Sequence, residues 1–194
     1  DDKEYVLRRP PLGPIAPSSH DMFREHRVQS NLNSVFPLAP KSLHFCDDES
    51  IIGSRFHIIE RRRGFVIRKE FEPYISPSKD NLRKLSFKII DVLSDLHKIN
   101  PNEVGLGDLG KPDGFVLRQL NGWEERWKNS TEDKDLKLKF DKLITFLRST
   151  LPKAQAITIL HNDFKLDNIM WGNSDSFDPV AVFDWDMCTR GDPL

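Results

Sequence analysis

Near the end of the chain, His161-Asn162-Asp163-Phe164-Lys165-Leu166-Asp167-Asn168 is followed by Val182-Phe183-Asp184-Trp185-Asp186, whose Asp184 lies sixteen residues past Asn168. Two carboxylates and an amide in this order suit phosphoryl transfer from ATP. Asp163 is expected to orient the attacking hydroxyl and take its proton. A carboxylate in ordinary surroundings is a weak base, so positioning and late proton transfer are its expected contributions. Asn168 offers a neutral oxygen and Asp184 a charged one to Mg²⁺, an ion that takes few protein carboxylates and completes its octahedron with phosphate oxygens. Lys165, two residues after Asp163, would reach the transferring phosphate and offset its charge. His161 reads as an architectural hydrogen bonder at the loop's entrance. Asp186 is open between a metal or substrate contact and bonds that hold its own loop. Asp192 either caps a following helix or braces the catalytic loop, and bracing is the expectation.

The same chemistry needs a cation on the nucleotide phosphates, held by an acid from a nearby helix. Arg8, at the end of Tyr5-Val6-Leu7, and Glu25, in the helix that follows, have that order and separation. A guanidinium keeps the charge and permits a bidentate grip. In a chain with 30% charged residues, a surface Arg and an unrelated Glu would be the default. The downstream motif decides for the pair. Glu60 to Gly64 is a strand exit suited to presenting backbone groups to adenine, and Glu60 and Arg62 are assigned to nucleotide binding there. The run Arg61-Arg62-Arg63 is by default a solvated charge cluster and alternatively an anion grip.

The elements that must position these residues follow from hydrophobic period. Tyr5 to Leu7 is a strand, closed by Pro10-Pro11 and a Pro/Gly/Ser stretch to Ser19. His20 to Leu32 is a short helix with a charged face. Val35 to Cys46 and Phe56 to Glu60 read as strands, and Val66-Ile67 as a further short one. Ser76 as N-cap, with Pro77 at the first helical position, opens a helix carrying Leu82, Leu85, Ile89, Leu93 and Leu96. Val116, Leu120, Trp123 and Trp127 make a second helical stripe. Leu136, Phe140, Leu143, Ile144 and Leu147 make a third, and all three stripes are expected in the core. Ile157 to Leu160 is a short strand delivering His161; Val180 to Phe183 is another, delivering Asp184. The fold expected is α+β and two-lobed: a β-rich first lobe with its hinge over residues 1–64, and a helical catalytic lobe over residues 65–194. The chain opens almost on a strand and stops just past a metal ligand, so both lobes are expected to be partial.

Composition limits the alternatives. With 194 residues and 38% hydrophobic content the chain can bury a core, and a formal net charge of −1 offers no field for nucleic acid or an anionic membrane. Cys46 and Cys188 are too few for a disulfide framework and read as free thiols in a reducing cytoplasm. No apolar run approaches the ~20 residues of a membrane span. The histidines outside the loop show no metal-ligand spacing. A cytoplasmic protein is expected, with a small hydroxylated molecule as partner; oligomeric state is not legible.

The loop shares the frame of the protein-kinase H-R-D-L-x-x-x-N and D-F-G segments, with Asn162 after the histidine and Trp185 after Asp184. In detail the chain resembles the aminoglycoside phosphotransferase and choline kinase superfamily, in the branch also found fused to acyl-CoA dehydrogenases. The residues that carry this resemblance include Tyr5-Val6-Leu7-Arg8-Arg9-Pro10-Pro11, Arg24-Glu25-His26-Arg27-Val28 and Glu60-Arg61-Arg62-Arg63-Gly64. Gly105-Leu106-Gly107-Asp108-Leu109-Gly110 and Gly191-Asp192-Pro193-Leu194 are particular to the branch. The resemblance implies a protein-kinase-like fold and ATP- and Mg²⁺-dependent phosphorylation of a small molecule's hydroxyl. It maps the nucleotide-holding cation to Arg8, its acid to Glu25, the catalytic carboxylate to Asp163 and the Mg²⁺ ligands to Asn168 and Asp184. The fusions suggest hydroxylated fatty acids or their CoA esters as acceptors. The family's usual His-Gly-Asp is His161-Asn162-Asp163 here, and its phosphate loop is expected before Tyr5. A silent nucleotide-binding or regulatory module on the same fold is the alternative, against which the presence of all three catalytic residues counts. A protein kinase is disfavoured because no activation segment follows Asp184.

Overall fold

In the first strand, β1 (Tyr5–Arg8), alternate side chains turn outward and inward, so Val6 and Arg8 share the less exposed face while Tyr5 and Leu7 face solvent. It pairs antiparallel with β3 (Phe56–Glu60), which pairs antiparallel with β2 (Ser42–Cys46), giving the order β1-β3-β2. Helix α1 (Met22–Leu32) packs beside this sheet. Asp21 caps it by accepting from the Arg24 N–H at 3.0 Å. Its buried stripe is Met22, Glu25, Val28, Gln29 and Leu32, a helical spacing that places an acid among apolar residues. The structure, a computed structural model, describes residues 3–13, 20–69, 71, 76, 78–130 and 132–193.

Past the sheet the chain runs through β4 (Phe65–Val66) to three helices: α2 (Lys79–His97), α3 (Phe115–Lys128) and α4 (Lys134–Ser149). Strand β5 (Thr158–Leu160) leads into the catalytic loop, β6 (Ile169–Trp171) leads out of it, and β7 (Pro179–Val182) returns to Asp184. The last strand, β8 (Thr189–Gly191), pairs antiparallel with β5, and β4-β6-β7 form a second antiparallel sheet. One core joins the two halves: Val28 and Leu32 of α1 share it with Leu96, Ile159, Ile169, Trp171, Val182 and Trp185, none of which has exposed side-chain surface. Each aliphatic side chain buried this way contributes about 1.5–3 kcal/mol. The helix carrying Glu25 is thereby fixed to the half that carries the catalytic loop.

Four expectations need correction. The strand read over Val35–Cys46 holds only for Ser42–Cys46: Pro37 and Pro40 have no N–H to give a ladder, and the chain turns around buried Phe36. Helix α2 is capped by Ser78, whose hydroxyl accepts from the Asn81 N–H at 3.2 Å, and not by Ser76; Pro77 lies outside the described residues. The strand expected at Val66-Ile67 is Phe65–Val66, with Ile67 buried beyond it. The stripes on α3 and α4 are not core. Only Leu120 and Ile144 are buried, Trp127 stacks on Phe140 between the helices, and Trp123 and Phe146 are exposed by 61% and 60%.

Candidate active site

The catalytic loop hangs between β5 and β6. His161, buried at the end of β5, donates from Nε2 to the Phe183 carbonyl at 2.9 Å and accepts at Nδ1 from the Asp163 N–H at 3.3 Å. Both ring nitrogens are used and the tautomer follows from their roles, so His161 is the architectural bonder the sequence suggests. A single 3-10 turn, Leu166–Asn168, then brings Asn168 back beneath Asp163. The Asn168 amide donates 2.9 Å bonds to both the backbone carbonyl and Oδ2 of Asp163. Lys165 Nζ lies 2.9 Å from the same Oδ2, and that carboxylate holds the lysine's pKa above its ordinary value.

Register places Asp184. Ile169 of β6 pairs with Val182 of β7, and the Phe183 N–H donates to the Asn168 carbonyl at 2.8 Å, so Asp184 emerges at the same end of the hairpin as Asn168. Asp184 has φ +68, a left-handed conformation that a branched-at-Cγ side chain adopts at a cost of about 1–3 kcal/mol and that clusters at functional sites. Its Oδ1 accepts from Arg8 Nη2 at 3.0 Å. The same nitrogen lies 3.0 Å from both oxygens of Glu25, which is 1% exposed. Arg8 therefore bridges α1 and the Asp184 loop. Burial alone would lower its pKa, but Glu25 and Asp184 hold it above the ordinary value. Burial would raise Glu25; His57 and Arg8 outweigh that and hold its carboxyl below the usual range.

The structure thus brings Asp163, Lys165 and Asn168 into one bonded cluster and Arg8, Glu25 and Asp184 into another, joined through Phe183. Glu60 and Arg62 stand apart. Glu60 Oε1 accepts from the Lys41 N–H at 2.7 Å and from Arg62, and Arg62 reaches the carbonyls of Pro37 at 3.0 Å and Val180 at 3.5 Å. Their side chains strut the crossing between the halves and also line the cleft beside it. That stretch edges a cleft of about 500 Å³ whose other walls include Val6, Arg8, Ile59, Met170 and Phe183. Gly64 lines it without room for a side chain: a Cβ there would stand 2.3 Å from the Trp171 carbonyl oxygen. A second cavity of about 560 Å³, between Pro10–Gly13 and the Glu49–Arg55 turn, is lined by none of the site residues expected from the sequence.

Asp186 is 6% exposed and accepts from the His20 N–H at 3.2 Å, with burial and the Asp184 charge pushing its carboxyl up. Asp192 accepts from the Gln155 N–H at 3.0 Å, bracing the approach to β5. Sequence reasoning missed several ties. Arg24 Nη1 donates to the Asp186 carbonyl at 3.1 Å, and Arg27 pairs with Asp108 and donates to the Gly105 carbonyl. Arg190 of β8 donates to the Leu109 carbonyl at 2.8 Å, which gives the Gly105–Gly110 segment a structural purpose as a clasp between α1 and β8. Asn162 adopts φ +64, where Gly is usual, and its amide donates to the Met187 carbonyl at 2.9 Å, bolting the catalytic loop to the Asp184 loop. Its departure from His-Gly-Asp was the one signal of that bolt in the sequence.

The buried histidine sets a pH dependence. Burial, the largest cause, lowers the His161 pKa from the ordinary 6.5 despite its bond to Phe183. Above 6.5 the ring is neutral whether the chain is folded or not. Below it the unfolded chain takes up a proton that the folded site refuses, so stability falls with acidification by up to about 1.4 kcal/mol per pH unit. The melting temperature is expected to be lower at pH 5.5 than at pH 7.5. His161→Asn should flatten that difference; an unchanged pH slope in the variant would count against the assignment.

A β-sheet cation held by a helix acid, with a looped Asp–Asn pair and a second Asp nearby, is an arrangement suited to phosphoryl transfer. The chain belongs to the phosphotransferase enzyme family, which it matches over residues 1–194. It is 34% identical over 192 residues to acyl-CoA dehydrogenase family member 11 of Rattus norvegicus and 31% identical over 194 residues to family member 10 of Mus musculus. Those matches cover 98% and 100% of this chain but 24% and 18% of the relatives, so the chain spans a quarter or less of their length. Among solved structures, a protein from Ralstonia eutropha described as an aminoglycoside phosphotransferase superposes with a TM-score of 0.80 at 29% identity, covering 97% of this chain and 54% of that one. The GDP complex of aminoglycoside 2'-phosphotransferase-IIIa superposes with a TM-score of 0.72 at 11% identity, over 97% of this chain and 62% of that one, a likeness of fold alone. The protein-kinase-like α+β fold read from the sequence therefore stands. Among the described residues no helix is long and apolar enough to cross a membrane.

Proposed function

We propose that this chain transfers the γ-phosphoryl group of ATP to the hydroxyl of a small molecule, with Mg²⁺ as cofactor. The observation that carries the reading is Arg8 held between buried Glu25 and Asp184, with Asp184 directly after the Phe183 whose N–H is bonded to Asn168. Arg8 grips the nucleotide phosphates at the end of the cleft, and the backbone of residues 60–64 meets the base, with residues 1–64 and 65–194 as the two lobes. Among the described residues no hydrogen bond engages Asn168 Oδ1 or Asp184 Oδ2, so both are free to act as ligands, and two oxygens suit an ion that phosphate oxygens complete. Mg²⁺ bound there would neutralise charge on the phosphates. Asp163 orients the acceptor hydroxyl and takes its proton as the new O–P bond forms and the bond to the β-phosphate oxygen breaks, releasing ADP. Lys165 offsets the charge on the moving group.

The relatives' name, acyl-CoA dehydrogenase family member, supports an acyl-type acceptor, and a solved aminoglycoside phosphotransferase in ternary complex with ADP and hygromycin B supports a nucleotide and a hydroxylated acceptor. A hydroxy acid or hydroxyacyl compound is the acceptor class proposed. ADP release from Mg·ATP is expected to rise above the ATP-only background with at least one member of a panel of hydroxy acids and hydroxyacyl thioesters. A flat response over the panel, with ATP bound, would favour a silent nucleotide-binding module.

A further inference from the structure

His57 sits on the central strand of the first sheet with no exposed surface. A buried imidazole carries two ring nitrogens that need partners. Nδ1 lies 3.1 Å from Ser42 Oγ on β2, and Nε2 lies 3.4 Å from Glu25 Oε2 on α1. Ser42 Oγ lies in turn 2.8 Å from Nδ1 of His26, the residue that follows Glu25 on α1. Two strands and a helix thus meet in a polar chain, His26–Ser42–His57–Glu25. It ends on the carboxylate whose oxygens lie 3.0 Å from Arg8.

The chemistry of the groups fixes the direction of this chain. An ionised Glu25 can only accept, so His57 Nε2 must carry the proton that faces it. The Nδ1 of the neutral ring must then accept, and Ser42 is the donor. With its one proton so used, Ser42 accepts from His26 Nδ1–H. His57 Nδ1 is thus hydrogen-bonded while its Nε2 faces the carboxylate without a hydrogen bond, and His26 Nδ1 also lies 3.5 Å from Ser30 Oγ. At 3.4 Å the link to Glu25 is long for a hydrogen bond and acts as an ion–dipole contact. Without it, the Glu25 carboxylate would be tied by Arg8 alone and free to turn about its own side-chain torsions.

We propose that His57 is a positioning residue of the phosphoryl-transfer site: backed by Ser42 and His26, it fixes the Glu25 carboxylate that aims Arg8 at the nucleotide phosphates. The proposal rests on the Mg·ATP reading of the site. His57 acts through two other side chains, so its influence falls on the phosphate end of the nucleotide and spares the base. Packing alone would make no such distinction.

Calorimetric titration of the purified protein with Mg·ATP and, separately, with adenosine tests this. His57→Phe keeps an aromatic ring, somewhat larger than imidazole, and removes both nitrogens. It is expected to weaken Mg·ATP binding about fivefold to tenfold, because the Glu25 carboxylate that aims Arg8 is no longer held, with adenosine affinity unchanged. His57→Gln, which restores an N–H toward Glu25, should recover affinity to within about threefold of the parent. Ser42→Ala, a small change expected to fold whatever His57→Phe does, should weaken Mg·ATP by about threefold and again spare adenosine. Equal losses for both ligands would make His57 a packing residue and overturn the proposal, as would unchanged Mg·ATP affinity in His57→Phe and Ser42→Ala. Failure of the parent protein to bind Mg·ATP would overturn the nucleotide reading itself.

Discussion

Replacing Asp163 by Asn is expected to lower ADP release about 10²–10⁴-fold while leaving Mg·ATP affinity within about twofold of the parent. The side chain keeps its size and an oxygen. The loop keeps its geometry because Asn168 also bonds the backbone carbonyl of residue 163, and because His161 holds its N–H. What is removed is the capacity to take a proton and the charge that orients the acceptor hydroxyl. The effect should therefore appear in kcat and be nearly silent in binding. Turnover that survives the substitution would show that another group acts on the hydroxyl.

Glu25→Ala is expected to act on stability as well as on the nucleotide. Glu25 is 1% exposed and its partner Arg8 is 31% exposed, so the substitution strands a half-buried guanidinium with Asp184 alone and leaves His57 facing a void. Breaking a fully buried pair costs about 3–5 kcal/mol; discounted for the exposure of Arg8, about 2–3 kcal/mol is expected. For a chain of this length that lowers the melting temperature by roughly 4–12 °C. Glu25→Gln, which retains hydrogen bonds, should fall less. Lys98→Ala, which removes an exposed pair with Asp95, should leave the melting curve where it is. Equal shifts in the Glu25 and Lys98 variants would show that the Arg8–Glu25 contact does not hold the fold.

Much of the site is legible in the sequence because it lies in two short segments. The spacing of Asp163, Asn168 and Asp184 is local, and the apolar runs before His161 and Asp184 announce the strands that deliver them. Arg8 and Glu25 can be paired only by order; that they meet depends on Glu25 falling on the buried stripe of α1, a spacing readable once the helix is granted. Glu60 and Arg62 show the limit. A strand exit can be recognised, but which way its side chains turn depends on Lys41, Pro37 and Val180, none of which is near in sequence. His57 is less legible still, since nothing local marks one residue of a five-residue strand as the partner of a helix acid. Strands β6 and β8, three residues each, are too short to show a period. The apolar stripes of α3 and α4 display helical spacing faithfully, yet spacing alone does not say what covers a face.

The central claim is a Mg²⁺-dependent nucleotide site built on Asp184. Its most direct test is thermal unfolding of the protein with ATP, with and without Mg²⁺, beside an Asp184→Asn variant. At ~100 times the dissociation constant, binding should add roughly 2.7 kcal/mol, a shift of several degrees. The account predicts a shift that needs Mg²⁺ and vanishes in the variant. A shift that is the same without Mg²⁺ or in Asp184→Asn, or no shift in the parent, would contradict it.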